Sequence, residues 1–177
     1  MRLTPESSLL CVIDIQERLL PAMPDGSRVT AMAGRLAAAA RLLGVSAVLT
    51  EQYPQGLGRS PAALAHQLPP AIEKMSFSCC GCDAFRTAIP AAVEAVVLCG
   101  LETHVCVAQT ALDLLAEGLA VFIAVDAVAS RHPLDHTVGL RRMENAGAIL
   151  TTSEAILFEW CRTAEHEQFQ AVRRLVL

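Results

Sequence analysis

The chain has 177 residues, with fourteen basic and eighteen acidic side chains, a formal net charge of −4 and no basic block. That balance argues against a general nucleic-acid-binding surface. The apolar share is 53%, yet the longest apolar runs, such as residues 119–125, fall far short of the roughly 18 residues that span a membrane. Within the cations, a single lysine, Lys74, stands among thirteen arginines.

Residues 8–15, SLLCVIDI, are apolar and rich in β-branched side chains, and predict a buried strand with Asp14 near its C-terminal end. Prolines 21 and 24 and the Asp25-Gly26 pair mark residues 16–26 as loop. An alanine-rich stretch with leucines at helical spacing predicts a helix over 29–43, stopped by Gly44, and VSAVLT predicts a strand over 45–50. Four prolines and two glycines make residues 51–70 a loop or rim. A brief apolar approach, 71–74, reaches Lys74, and a short helix is expected over 83–88. The strongest strand is 95–100. Thr103 is the expected N-cap of a helix running to Glu117 and stopped by Gly118. A strand over 119–125, a helix over 134–145, a last strand over 148–151 and a helical region from Glu154 complete the order. Strands that are apolar throughout, alternating with helices, imply a parallel sheet covered on both faces.

No repeat, low-complexity tract or linker interrupts the pattern, so one domain over residues 1–177 is expected. Seven cysteines, several inside apolar runs (Cys11, Cys99), fit reduced thiols better than a disulfide framework. The first residues carry a proline and an acid where a signal peptide needs an apolar run, and a cytoplasmic protein is the expectation.

In open parallel sheets, ligands sit beyond the carboxyl ends of the strands, where Asp14, Lys74 and the 100–106 turn would project. Cys106, three residues after the Thr103 cap, would occupy a first helical turn whose free N–H groups favour a thiolate. Asp14 at the end of a buried strand is costly unless paired, and Lys74 is its natural partner. A chain that uses arginine for every other cation keeps lysine where a compact ammonium is required.

The segments VIDIQ, EKMSF and GLETHVCVAQTALDLLAEGLAVFIAVDAVASR, in that order, resemble the isochorismatase-like cysteine hydrolases over residues 9–152. The resemblance implies a three-layer α/β/α sandwich around a six-stranded parallel sheet, a catalytic triad of Asp14, Lys74 and Cys106, and a non-proline cis peptide at Leu101–Glu102. It also places Gln16, Tyr53, Phe77 and Leu101 around a substrate pocket. The expected chemistry is hydrolysis of a small amide, ester or similar bond through a thioester on Cys106. Asp14 would act as base, and the backbone N–H groups of Glu102 and Cys106 would face the oxyanion. Nicotinamidase-type relatives hold a metal through an Asp-x-His motif after the second strand. Here that place reads TEQYPQG, so neither a metal nor another cofactor is expected. Cys106 also argues against the vinyl-ether reaction of true isochorismatases, which lack that thiol.

Other motifs receive plainer readings. Cys79, Cys80 and Cys82 contain one C-x-x-C without a matching second half, which suggests a loop beside the pocket rather than a zinc or redox site. His104, two residues from Cys106, would not face it on a helix, while His132, His136 and His166 read as solvated surface. Asp126 reads as structural. The competing functions are an idle scaffold with the same fold and, third, a thiol-redox module. The expected partners are a small-molecule substrate and another copy of the chain in a dimer or larger assembly, with no nucleic acid or membrane.

Overall fold

The computed structural model describes residues 1–177. Six strands form one sheet: β1 (Ser8–Ile13), β2 (Ser46–Gln52), β3 (Ile72–Lys74), β4 (Ala95–Leu101), β5 (Ala120–Ala129) and β6 (Ile149–Thr151). Their order is β3-β2-β1-β4-β5-β6 and every neighbouring pair is parallel. The chain winds outward in one direction from β1 and in the other from β4. Between those two strands, crossovers depart to opposite sides and leave a crevice at the strands' carboxyl ends.

The helices are α1 (Gly26–Leu43), α2 (Pro54–Leu57), α3 (Ala62–Ala65), α4 (Asp83–Ala88), α5 (Ala108–Ala116), α6 (Pro133–Asn145), α7 (Ser153–Cys161) and α8 (Phe169–Val176). Period-two alternation along the strands sends side chains to two separate cores. Leu10 and Val12 of β1 join Val97 and Phe122 in the core under α1, α7 and α8. Leu9, Cys11 and Ile13 join Val96 and Ile123 in the core under α4, α5 and α6. The result is a three-layer α/β/α sandwich, and no helix is long and apolar enough to cross a membrane.

Several boundaries differ from expectation for identifiable reasons. The first strand stops at Ile13 because Asp14 takes a left-handed conformation, φ 51°. The expected 51–70 loop contains the single turns α2 and α3, each begun with a proline in its cap or first position. The fifth strand runs on to Ala129, and its register with β4 shifts between Leu98 and Gly100. Gly100 has φ 127°, and a Cβ there would lie 1.9 Å from the Ile13 carbonyl oxygen. Only glycine lets β4 lie this close to β1 just before the turn that carries Cys106.

That turn corrects a capping expectation. Thr103–Val107 is a π-helical turn entered from Glu102 without any side-chain cap, and α5 continues from it. The Thr103 hydroxyl is instead paired with His136 Nδ1 at 2.9 Å. His136 is therefore half-buried rather than solvated, and its pKa is lowered by burial and by Arg28.

Candidate active site

Asp14 leaves the end of β1 fully buried, and Lys74 ends β3 with its side chain equally hidden. Their contact is short, with Lys74 Nζ 2.6 Å from Asp14 Oδ2. The ammonium's other protons go to the carbonyl oxygens of Ser76 at 3.1 Å and Phe77 at 3.0 Å. Three acceptors around one nitrogen match the three donors of an ammonium, which explains why lysine occupies this place. Thr50 Oγ1 donates to the other carboxylate oxygen of Asp14 at 2.7 Å. Burial works to lower the Lys74 pKa, but the negative charge of Asp14 and the nearby thiols prevail and raise it.

Cys106 lies in the π turn, 5% exposed, and its thiol donates to Gln52 Oε1 at 3.3 Å. Burial first, then the charge of Asp14, push this thiol well above its ordinary pKa, and Lys74 only partly opposes them. The expected stabilised thiolate is thus corrected: the resting group is a thiol, because desolvation and a neighbouring carboxylate outweigh the lysine. The Leu101–Glu102 peptide bond entering the turn is cis.

A cleft of about 350 Å3 opens over the thiol. Tyr53, Phe77 and Leu101 all line it, as does Glu102. Tyr53 is held at φ 40°, a second left-handed non-glycine residue beside Asp14, and such outliers concentrate where geometry serves function. Gln16 is not among the lining residues. It is fully buried, its amide donates to the carbonyls of Gln52 and Gly58, and it accepts from the Gln52 N–H. Gln16 therefore ties β1 to the rim loop instead of facing a ligand. Thr50 and Gln52, two residues apart on one strand face, were not anticipated, although polar residues at that spacing ending an apolar strand are a readable signal.

Glu51, near the end of β2, accepts from Arg59 Nη1 at 2.9 Å and from the Ser60 N–H at 2.7 Å. No group of three or more His, Cys, Asp or Glu side chains is arranged to hold an ion. All seven cysteines are free. Cys79 is buried and its N–H donates to Thr110 Oγ1, whose hydroxyl donates to the Cys106 carbonyl. His104 turns away from the thiol to pair with Ser130 Oγ at 3.0 Å, and Asp126 accepts from the Ser153 N–H at 2.8 Å, joining β5 to α7.

Fold and site together define an open parallel α/β protein with a buried acid–lysine pair and a thiol at the strand-order reversal. Residues 8–155 match the model of the isochorismatase domain. The chain is similar to isochorismatase domain-containing protein 2 of Bos taurus, 41% identical over 175 residues covering 99% of this chain and 85% of that protein. Among solved structures it is similar to MAR1 ribonuclease from Caenorhabditis elegans, with TM-score 0.94, 39% identity, and 99% and 92% of the two chains covered. YcaC from Pseudomonas aeruginosa, solved with hexane-2,5-diol and covalent acrylamide, gives TM-score 0.90 and 26% identity over 99% and 92%. The chain belongs to the isochorismatase family.

Proposed function

We propose that this chain is a cysteine hydrolase, one domain over residues 1–177, that cleaves a small amide, ester or similar C–N or C–O bond. The observation that carries the reading is the fully buried Asp14–Lys74 pair at 2.6 Å, set at the sheet's switch point beside a buried thiol that opens to a cleft. A buried charge pair is weak support for stability, and one gathered around a nucleophile in a cleft is better accounted for by chemistry. Cys106 is the nucleophile, Asp14 the proton acceptor and Lys74 the positive charge that pairs with and positions the carboxylate. The covalent acrylamide of the Pseudomonas aeruginosa relative is consistent with a reactive side chain in this fold.

Because the thiol is protonated at rest, deprotonation accompanies attack. As Sγ bonds to the substrate carbonyl carbon, the thiol proton moves to Asp14 and the carbonyl π pair becomes an oxyanion, facing the N–H groups of Glu102 and Cys106. Collapse expels the amine or alcohol, which takes the proton from Asp14 and leaves a thioester on Cys106. Water then attacks that carbonyl and gives a proton to Asp14; the C–S bond breaks, the acid departs and the proton returns to sulfur. No step in this scheme calls for a cofactor.

The test is a mass screen of amides, esters and thioesters for an acyl adduct on Cys106, with turnover measured alongside. Cys106→Ala is expected to lose both adduct and turnover while keeping the fold; full activity in that variant overturns the scheme. RNA belongs in the same panel because of the name of the Caenorhabditis elegans relative, although an apolar cleft of about 350 Å3 favours a small acyl compound. We further propose a cytoplasmic setting and self-association as a dimer or larger, supported by Leu134 and Val138, exposed one turn apart on α6. Sedimentation as a monomer refutes the latter.

A further inference from the structure

The cleft above Cys106 holds one cation, and its surroundings show what that cation is free to do. Arg131 lies at the mouth with its side chain 54% exposed, and Glu102 beneath it is 9% exposed. Glu102 Oε2 accepts from the Arg131 backbone N–H at 2.9 Å and from Arg131 Nε at 3.1 Å. The carboxylate thus fixes the guanidinium by its inner nitrogen, while the two terminal nitrogens have no partner in the chain. The cleft it shares is mainly apolar, lined by Leu19, Leu57, Phe77, Leu101 and Val105, with Gln52 and Tyr53 as its uncharged polar side chains. The only carboxylate lining the cleft is Glu102, already committed to Arg131 and therefore poorly placed to receive a cationic ligand. A guanidinium with its outer edge open presents a planar two-donor fork, which matches a carboxylate.

We propose that Arg131, held by Glu102, is the specificity-determining residue of this site and selects substrates whose acyl portion carries an apolar body ending in a carboxylate. The inference rests on Cys106 being the reacting group. It narrows the substrate to half-amides, half-esters or similar derivatives of acids with a second carboxylate, and it disfavours cationic substrates.

Cys106 alkylation tests this without requiring hydrolysis. Iodoacetyl conjugates of glycine, β-alanine and γ-aminobutyrate are compared with their neutral carboxamides at pH 8.5 and low salt, and labelling is followed at the Cys106 peptide. In each case the Sγ–CH2 bond forms, iodide leaves, and the thiol proton is lost to Asp14 or solvent. At least one acid is expected to react about fivefold faster than its amide, as a half-exposed charge-assisted pair allows. Arg131→Gln is expected to abolish that preference, read as the acid-to-amide ratio within the variant, and added salt is expected to shrink it in the parent protein. Equal rates for every acid and amide in the parent protein, a preference that survives Arg131→Gln, or no labelling of Cys106 by any acid overturns the proposal. The parent comparison stands even if the variant fails to fold. Acid-selective labelling without hydrolysis of any ester or amide refutes the hydrolase reading and leaves the anion subsite in place; hydrolysis without acid selectivity does the reverse.

Discussion

Lys74→Met removes the ammonium and leaves the Asp14 carboxylate in the interior with the Thr50 hydroxyl, at 2.7 Å, as its one side-chain donor. The lost contacts are the one at 2.6 Å to Asp14, between side chains with no solvent exposure, and those at 3.1 and 3.0 Å to the backbone carbonyls of Ser76 and Phe77. Breaking a buried pair from one side costs about 3–5 kcal/mol, mostly the penalty of the charge left behind. With a urea slope of about 2 kcal/mol/M, the unfolding midpoint falls by about 1.5–2.5 M. Trp160, the only tryptophan and fully buried, supplies the fluorescence signal. Protonation would relieve the stranded carboxylate of its charge, so the folded variant binds a proton more readily than its unfolded chain. Its stability therefore falls as pH rises, and its deficit against the parent is largest at pH 7 and narrows toward pH 4.5. Lys74→Arg keeps the charge but cannot place a planar guanidinium among three acceptors arranged for an ammonium. An intermediate cost of about 1–3 kcal/mol and loss of turnover are expected. A Lys74→Met cost below about 1 kcal/mol, or a deficit independent of pH, refutes a desolvated pair at this position.

Other outcomes follow from the same geometry. Iodoacetamide labelling of Cys106 should climb about tenfold per pH unit through pH 9 because burial and Asp14 hold the thiol protonated; a plateau below pH 8 contradicts this. Folded-state values of Cys11, Cys99 and Cys106 lie above the ordinary thiol value, so the unfolded chain releases these protons first. Stability is then whole below about pH 8.5 and falls as pH rises past it, read as a lower urea midpoint at pH 9.5 than at pH 8. Gly100→Ala places a Cβ 1.9 Å from the Ile13 carbonyl oxygen and should cost about 4 kcal/mol or more, or prevent folding; near-parental stability by urea unfolding refutes that reading of the β1–β4 approach. Gly139→Ala sets a Cβ 3.0 Å from His104 Cα, pressing α6 on the turn that carries Cys106. Turnover should drop more than stability, which should change by about 1–2 kcal/mol.

Hydrophobic patterning determined most of the architecture. Runs such as SLLCVIDI and AVVLCG are apolar on both faces, and only strands covered on both sides by helices bury such runs, so the layers and the parallel sheet were legible in the chain itself. The Asp14, Lys74 and Cys106 candidates were legible too, because a carboxylate ending a buried run, a lone lysine and a thiol after a strand are each costly or unusual. The short 51–70 helices and the entry into α5 were not, since a four-residue turn has no period to read and Thr103 finds a better partner in His136, thirty-three residues away.

What only the tertiary structure decided depends on contacts between segments far apart in sequence. Gln16 is an inward-facing brace rather than a ligand contact because Gln52 and Gly58 take its amide. Thr50 and Gln52 enter the site because β2 lies beside β1. The protonation of Cys106 is set by burial and by Asp14, ninety-two residues earlier in the chain, which no local cap could counter. Arg131, five residues after an Asp126 that reads as structural, reaches the cleft because β5 lies beside β4 and a buried Glu102 holds its inner nitrogen. Desolvation and ion pairing act through space, so a linear pattern can nominate charged residues but cannot say which of them meet.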